Sequence, residues 1–296
     1  MKSKFKIDKL RIGLGGTNYP GWNEDFKSIC HFVNVDCANG SISGSKFWKS
    51  KGKPWSNAIV PLEVGTPLLT AHGVIPQGKR AYVEFNVAHL DPVSKPRLDM
   101  YLGHYLAGGR NSLLEHGNVS YAEFAYDVAG ESFSNYLFVD PRLRSSNDFF
   151  IDDGTTYLGC RSGSRQLAIY DKREELLARH GLDVGHPLLR VEARMRPNGL
   201  QQFAALAQLP NPFSRLWVVD RKKFTDAKLF GLSASFRDLV LESNLPPQIA
   251  YRQLVPHASA QKKSEFAQDM NLLNAEWWNP VEAWAMVPMT LPALLN

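Results

Sequence analysis

Cysteine is scarce in this 296-residue chain, and Cys30, Cys37 and Cys160 are too scattered for a disulfide framework or a zinc site. That usage points to a reducing compartment, so a cytoplasmic protein is expected. Long apolar runs are missing as well. No window approaches the length of a membrane span, and Pro280, Pro288 and Pro292 break the apolar C-terminal tail, so no membrane partner is expected. The first residues, MKSKFKIDKLRIG, carry charges where a signal peptide needs an apolar core. Eight histidines are present, at 31, 72, 89, 104, 116, 180, 186 and 257, yet none forms a His-x-His pair. GLGGTNYPG (Gly13–Gly21) lacks both the Gly-Lys-Ser/Thr ending of a phosphate loop and the spacing of a dinucleotide fingerprint, and reads as a turn-rich connection. No internal repeat suggests a solenoid.

What remains is a chain of ordinary globular balance, 44% hydrophobic and 21% charged, long enough for one large domain or two interlocked ones. Its net charge of +5 leans toward polyanionic partners. One segment gives that lean a location. KFWKSKGKPW interleaves Lys46, Lys49, Lys51 and Lys53 with Trp48 and Trp55, a composition suited to tracking a single DNA strand and stacking its bases. A solvated basic loop with partly buried aromatics explains the same residues.

Residues 10–75 read as short strands and long loops. From about residue 80, alternation predicts strands over Arg80–Asn86, Val119–Val128, Thr156–Arg161, Arg165–Tyr170 and Leu188–Arg196. Helices are expected over Lys95–Leu106 and Lys172–His180, the second capped by Asp171 and stopped by Gly181. Beyond Pro197, FAALAQL, SASFRDLVLESN and SEFAQDMNLLNAEWW read as helices. The expected fold is α+β: an antiparallel β-sheet core with flanking helices and a mainly helical C-terminal region. Residues 1–79 would contribute strands and loops to the core, 80–197 would form the sheet region, and 198–296 the mainly helical region.

Residues two apart on a strand share a face. Val83 and Phe85; Ala122, Phe124 and Tyr126; Leu167 and Ile169; and Val191, Ala193 and Met195 form apolar rows. The opposite rows hold Glu84; Tyr121, Glu123 and Asp127; Tyr170 and Lys172; and Arg190, Glu192, Arg194 and Arg196. Cross-strand salt pairs on a solvated face account for any one of these rows. The 119–128 strand offers two carboxylates and no cation of its own, however. Converging carboxylates repel unless a divalent ion such as Mg²⁺ or Mn²⁺ sits among them, and such an ion commonly bridges to a phosphate. A tyrosine beside that ion, with arginines behind it, suits phosphoryl transfer.

The segment IYDK, the short helix after it and the R-x-E strand Arg190-Val191-Glu192 resemble the replication initiation factor family. These are the topoisomerase-like initiators of rolling-circle plasmids and filamentous phages that lack the paired-histidine motif. YVEFNVAHL (Tyr82–Leu90) resembles that family's strand ending in Glu-Phe-Asn, and YAEFAYD (Tyr121–Asp127) its acidic strand, with Glu123 where Asp is usual. Tyr121 replaces a usual Arg, and Val87 and His89 replace a frequent Pro and Lys. The similarity runs over about residues 80–197.

The resemblance implies an origin-specific DNA nickase and ligase that starts rolling-circle replication through a covalent 5′-phosphotyrosyl intermediate. Tyr170 would be the nucleophile, and Glu123, Asp127, Glu192 and Glu84 the candidate ligands of Mg²⁺ or Mn²⁺. Lys172, Arg173, Arg161, Arg165, Arg190 and Arg194 would hold DNA phosphates. Double-stranded origin DNA, nicked and single-stranded DNA, a host helicase and polymerase, and a second copy of the chain are the implied partners. The alternatives are a non-catalytic DNA-binding regulator and, disfavoured by the missing Arg–His-x-x-Arg pattern, a tyrosine recombinase. For Tyr170 itself an amphipathic strand-end role is the plain alternative. Tyr157 is a second candidate nucleophile, Asp171 reads as a helix cap, and Asp152 and Asp153 read as turn residues.

Overall fold

The computed structural model describes residues 3–15, 19, 21–63, 66–143, 145–197, 206 and 208–285. The chain divides into two compact units. The N-terminal unit comprises residues 6–124, 195–209 and 287–296; the C-terminal unit comprises 1–5, 125–194 and 210–286. The division therefore falls inside the 119–128 strand, not at the 79/80 and 197/198 boundaries read from the sequence. Strand pairing carries the reason, because partners in a sheet come from distant stretches of chain.

In order, the elements of the N-terminal unit are β1 (Ser3–Leu14), α1 (Trp22–His31), β2 (Lys46–Lys49), β3 (Trp55–Glu63), β4 (Thr66–Ile75), β5 (Gly78–Phe85), α2 (Ser94–Tyr105), α3 (Gly109–His116) and the first half of β6 (Asn118–Ala129). Its strands lie in the order β2-β3-β4-β5-β1-β6, and the pairs from β2 through to β1 are antiparallel. Leu10, Ile12 and Leu14, Ala58, Val60 and Leu62, and Ala81, Val83 and Phe85 form the buried rows. They pack with Trp22, Phe26 and Ile29 of α1 and Leu98, Leu102 and Tyr105 of α2, each large side chain contributing about 1.5–3 kcal/mol by leaving water.

The expected loops of 10–75 are instead largely helix and long strand. Trp22, Phe26, Ile29 and Val33 recur at helical spacing on one buried face, and Gly21 in the left-handed region starts the helix. The helix continues as a π-helical stretch, Phe32–Cys37, which buries Phe32, Val33 and Cys37.

The C-terminal unit takes the second half of β6, then β7 (Tyr136–Val139), β8 (Phe149–Asp152), β9 (Thr155–Leu158), β10 (Arg165–Asp171), α4 (Lys172–His180) and β11 (Leu188–Met195). After these come β12 (Trp217–Asp220), α5 (Arg221–Asp226), α6 (Gly231–Leu241), α7 (Pro247–Leu254), α8 (Ala260–Leu272) and α9 (Pro280–Ala285). The strand order is β6-β11-β10-β9-β8, with β8, β9 and β10 antiparallel in sequence; β7 and β12 form a separate antiparallel pair. Phe224, Phe236, Tyr251, Phe266 and Met270 from α5 to α8 bury against Leu137, Val139 and Val219 of that pair. The α+β class and the helical C-terminal region are as expected. FAALAQL lies largely outside the described residues. Among the described residues, no helix is long and apolar enough to cross a membrane.

Candidate functional site

Tyr170 sits at the end of β10, where strand passes directly into helix. Asp171 makes the junction: its side chain accepts hydrogen bonds from the backbone N–H groups of Arg173 (2.9 Å) and Glu174 (3.1 Å). Gly181 closes the helix in the left-handed region at φ 64°. Both caps match the sequence reading, and they fix the backbone on which Tyr170 is mounted.

The polar rows are far less solvated than a half-exposed sheet would be. In β10, Gln166, Leu167, Ala168 and Ile169 are all buried, so both faces are covered there. Glu192 and Arg190 are each only 3% exposed. Buried charge needs partners, and they are present. The Tyr170 hydroxyl donates to Glu192 Oε2 at 3.1 Å, while Arg194 Nε donates to Glu192 Oε1 at 2.7 Å. Burial pushes the Tyr170 phenol well above the usual tyrosine range, the Glu192 charge pushes it further, and Arg190 only partly offsets them. The phenol is therefore a protonated donor aimed at a carboxylate. Tyr170 lines a cleft of about 280 Å³ together with Tyr157, Asp171, Glu175, Arg179 and Arg194. Arg194 also lies over the Tyr157 ring, 5.6 Å from its centroid.

Asp127 does not lack a cation. Arg190 grips it with two parallel hydrogen bonds, Nε at 2.6 Å and Nη2 at 2.8 Å, so a neighbouring strand supplies the charge that β6 itself does not carry. Arg165 is likewise turned inward, where a surface phosphate ligand was expected. It contacts Asp140 at 2.7 Å and donates to the Pro212 carbonyl at 2.6 Å. Burial pulls the Arg165 guanidinium down to about 10. Asp140 is fully buried; burial alone would raise it, but the Arg142 hydrogen bonds and the Arg165 and Arg142 charges outweigh that and hold it low. Sequence reading missed Asp140 and Arg142 because they sit in a short connection with no alternation to mark them.

The other expected phosphate ligands lie nearer the surface, each with an acidic partner. Lys172 bonds Glu175 and places its ammonium 6.0 Å from the Tyr170 ring centroid. Arg173 forks onto Asp183 at 2.7 and 2.9 Å, and that hydrogen bonding takes the Asp183 carboxyl down to about 2. Arg161 pairs with Asp152 at 2.9 Å and covers the Phe150 ring. Asp153 occupies the turn with φ 46°.

The remaining candidates belong to the N-terminal unit. Glu84 is held by Arg11, at 2.7 Å to Nε and 2.6 Å to Nη2. Glu123 is 7% exposed, accepts the Tyr121 hydroxyl and has Lys9 at 3.8 Å. Asp8, which the sequence reading passed over, brings a carboxylate oxygen within 4.8 Å of one on Glu123. Its alternating segment, KIDKLRIGL, was the available signal. Lys46 to Trp55 form a hairpin between β2 and β3, with Lys46, Lys49, Lys51 and Lys53 exposed and Trp48 39% exposed.

Set against protein-family models and against curated proteins, the chain matches none of them.

Proposed function

We infer that the protein cuts and rejoins a DNA strand through Tyr170, as the initiation of rolling-circle replication on a plasmid or phage requires. One observation carries the reading: a protonated phenol, mounted at a cleft, donates to a buried carboxylate that Arg194 holds in place. Because burial makes a free phenolate unfavourable, attack needs a base at the hydroxyl, and Glu192 Oε2 is at hydrogen-bond distance. The Tyr170 oxygen forms a bond to phosphorus while the bond from phosphorus to the 3′ oxygen breaks. The phenol proton passes to Glu192, and the departing oxygen takes a proton from solvent to become the 3′ hydroxyl that primes synthesis. Rejoining runs the same steps backwards.

For a divalent cation the donor sets differ in fit. Asp127 and Glu84 are held by arginines; Glu123 and Asp8 bring carboxylate oxygens within 4.8 Å of one another and would hold Mg²⁺ or Mn²⁺, in place of the Lys9 ammonium that lies 3.8 Å from Glu123. When bound, such an ion supplies charge neutralisation to a phosphodiester.

The test is incubation with supercoiled DNA carrying the element's own origin and Mg²⁺ or Mn²⁺, followed by a denaturing gel. A nicked circle with protein attached, lost in Tyr170→Phe and on chelation, is the expected result. Tight origin binding with no nicking under any metal condition identifies a regulator instead. Nicking that survives Tyr170→Phe moves the nucleophile, with Tyr157 next in line.

A further inference from the structure

Three metal-ligating side chains meet within the N-terminal unit, and none of them belongs to the Tyr170 cleft or to the Asp8–Glu123 pair. His31 closes α1, Asp36 lies in the π-helical stretch Phe32–Cys37, and His104 lies in the last turn of α2. The His31 Nε2 atom is 3.6 Å from Asp36 Oδ1, and His104 Nε2 is 3.9 Å from Asp36 Oδ2.

The π-helix accounts for the meeting. His31 and Asp36 are five residues apart, and an α-helix of about 3.6 residues per turn sets such residues on different faces. The wider i→i+5 turn brings Asp36 back beneath His31. Such turns are rare, and they recur at functional sites. Packing fixes the α2 side. The buried Phe32 ring lies 4.9 Å from that of buried Tyr105 and 6.2 Å from the His104 imidazole, between centroids. The backbones that carry the two histidines are therefore anchored, while the imidazoles themselves stay out in solvent.

The charge arrangement calls for a cation. The Asp36 side chain is 20% exposed, and among the described residues no lysine or arginine comes within 4.0 Å of it. Both imidazoles stop a few tenths of an ångström short of hydrogen-bond distance. Two imidazole nitrogens and a carboxylate oxygen form the donor set of a divalent transition metal, and Zn²⁺ takes three such ligands with water in the fourth position. With Zn–N and Zn–O bonds of about 2.0–2.2 Å, tetrahedral ligand atoms lie about 3.3–3.6 Å apart. The observed separations are already at or near that span. The rings lie against different oxygens of the carboxylate, so closing on one ion turns them toward each other. Their side chains are 66% and 64% exposed, and little packing opposes the turn.

We propose that His31, Asp36 and His104 bind one Zn²⁺ ion, which ties the end of α1 to α2. The inference uses none of the Tyr170 chemistry and stands or falls separately from it.

The experiment is isothermal titration calorimetry of the full chain with Zn²⁺, in buffer holding excess Mg²⁺ to occupy oxygen-only sites. One Zn²⁺ should bind with the three residues in place. His31→Gln, His104→Gln and Asp36→Asn should each weaken it by at least about 10-fold, the loss that even outer-shell partners of a metal produce. Circular dichroism should show all three folded, since the imidazoles are exposed and Asn is nearly isosteric with Asp. His180→Gln, which removes an exposed imidazole at the end of α4, should bind as wild type does. Co²⁺ in place of Zn²⁺ gives a second readout: a tetrahedral visible spectrum in wild type that fades in the three variants. Undiminished affinity in folded His31→Gln and His104→Gln would overturn the proposal, as would no binding by wild type. Either result leaves Asp36 flanked by ordinary surface histidines. Loss confined to Glu123→Gln would move the ion to the acidic pair and also overturn it. If one histidine variant unfolds, the other decides alone. Nicking is not the readout, so failure of the Tyr170 reading leaves this result unchanged.

Discussion

Replacing Asp140 by Asn tests the interior of the C-terminal unit most sharply. The two side chains are nearly isosteric, so no cavity forms, but the charge that serves both Arg142 and Arg165 disappears. Asp140 has 0% side-chain exposure, Arg165 15% and Arg142 26%. Breaking a buried pair by removing one partner costs about 3–5 kcal/mol, because the remaining charge is left uncompensated. Arg165 bears most of that cost, since Arg142 reaches partly into water and is screened. At a urea sensitivity of about 2–3 kcal/mol per molar, the midpoint should fall by about 1–2.5 M. The pH dependence has a definite sign. The Asp140 carboxyl is depressed below 3.8, so its stabilisation is complete above about pH 4 and fades as pH falls through its folded value. Wild type and Asp140→Asn should therefore converge in acid. Adding Arg165→Met should recover part of the loss by removing the stranded guanidinium. Urea titrations followed by circular dichroism check all three. A midpoint within about 0.2 M of wild type at neutral pH, or strictly additive losses in the double variant, would refute the reasoning.

Glu192→Gln should lower single-turnover nicking by about 10²- to 10⁴-fold, the usual contribution of a positioned base, with the protein still folded by circular dichroism. Tyr105, Tyr136 and Tyr170 are all raised above the ordinary value of 10.0, chiefly by burial, so the folded state favours their neutral forms. Their contribution is complete below about pH 10 and is lost as pH rises further; ultraviolet difference titration should show them ionising together with unfolding, not before it. Gly73→Ala would set a Cβ 2.4 Å from the Pro54 carbonyl oxygen, and should destabilise by about 1–3 kcal/mol in a thermal melt. Gly103→Ala in α2 meets nothing within 4 Å, and should stabilise by about 0.5–1 kcal/mol in the same assay.

The β10–α4 junction was legible because its signals are local. Leu167 and Ile169 alternate, Asp171 caps, Gly181 stops, and the observed helix is Lys172–His180 as read. The α1 helix was not legible in the same way. Its apolar spacing is present, but Gly, Pro and Asn before it and the β-branched run after it masked the period. Side-chain alternation correctly put Tyr170, Glu192 and the arginines on polar rows. Whether those rows are wet depends on what packs over them, which no single strand encodes. Hence Arg190 and Arg165 turned inward onto Asp127 and Asp140, partners 63 and 25 residues away in the chain (190 − 127 and 165 − 140).

The β2 strand stands at the end of its row of strands, with β3 as its one neighbour in the pairing order. Such an edge offers unpaired backbone groups to any stray extended chain, and lysines are a common guard against that. Lys46 and Lys49 occupy this edge and are exposed. Substitutions that strip their charge to probe nucleic-acid contacts would also lower the barrier to edge-to-edge aggregation. Light scattering belongs beside every binding curve measured on those variants.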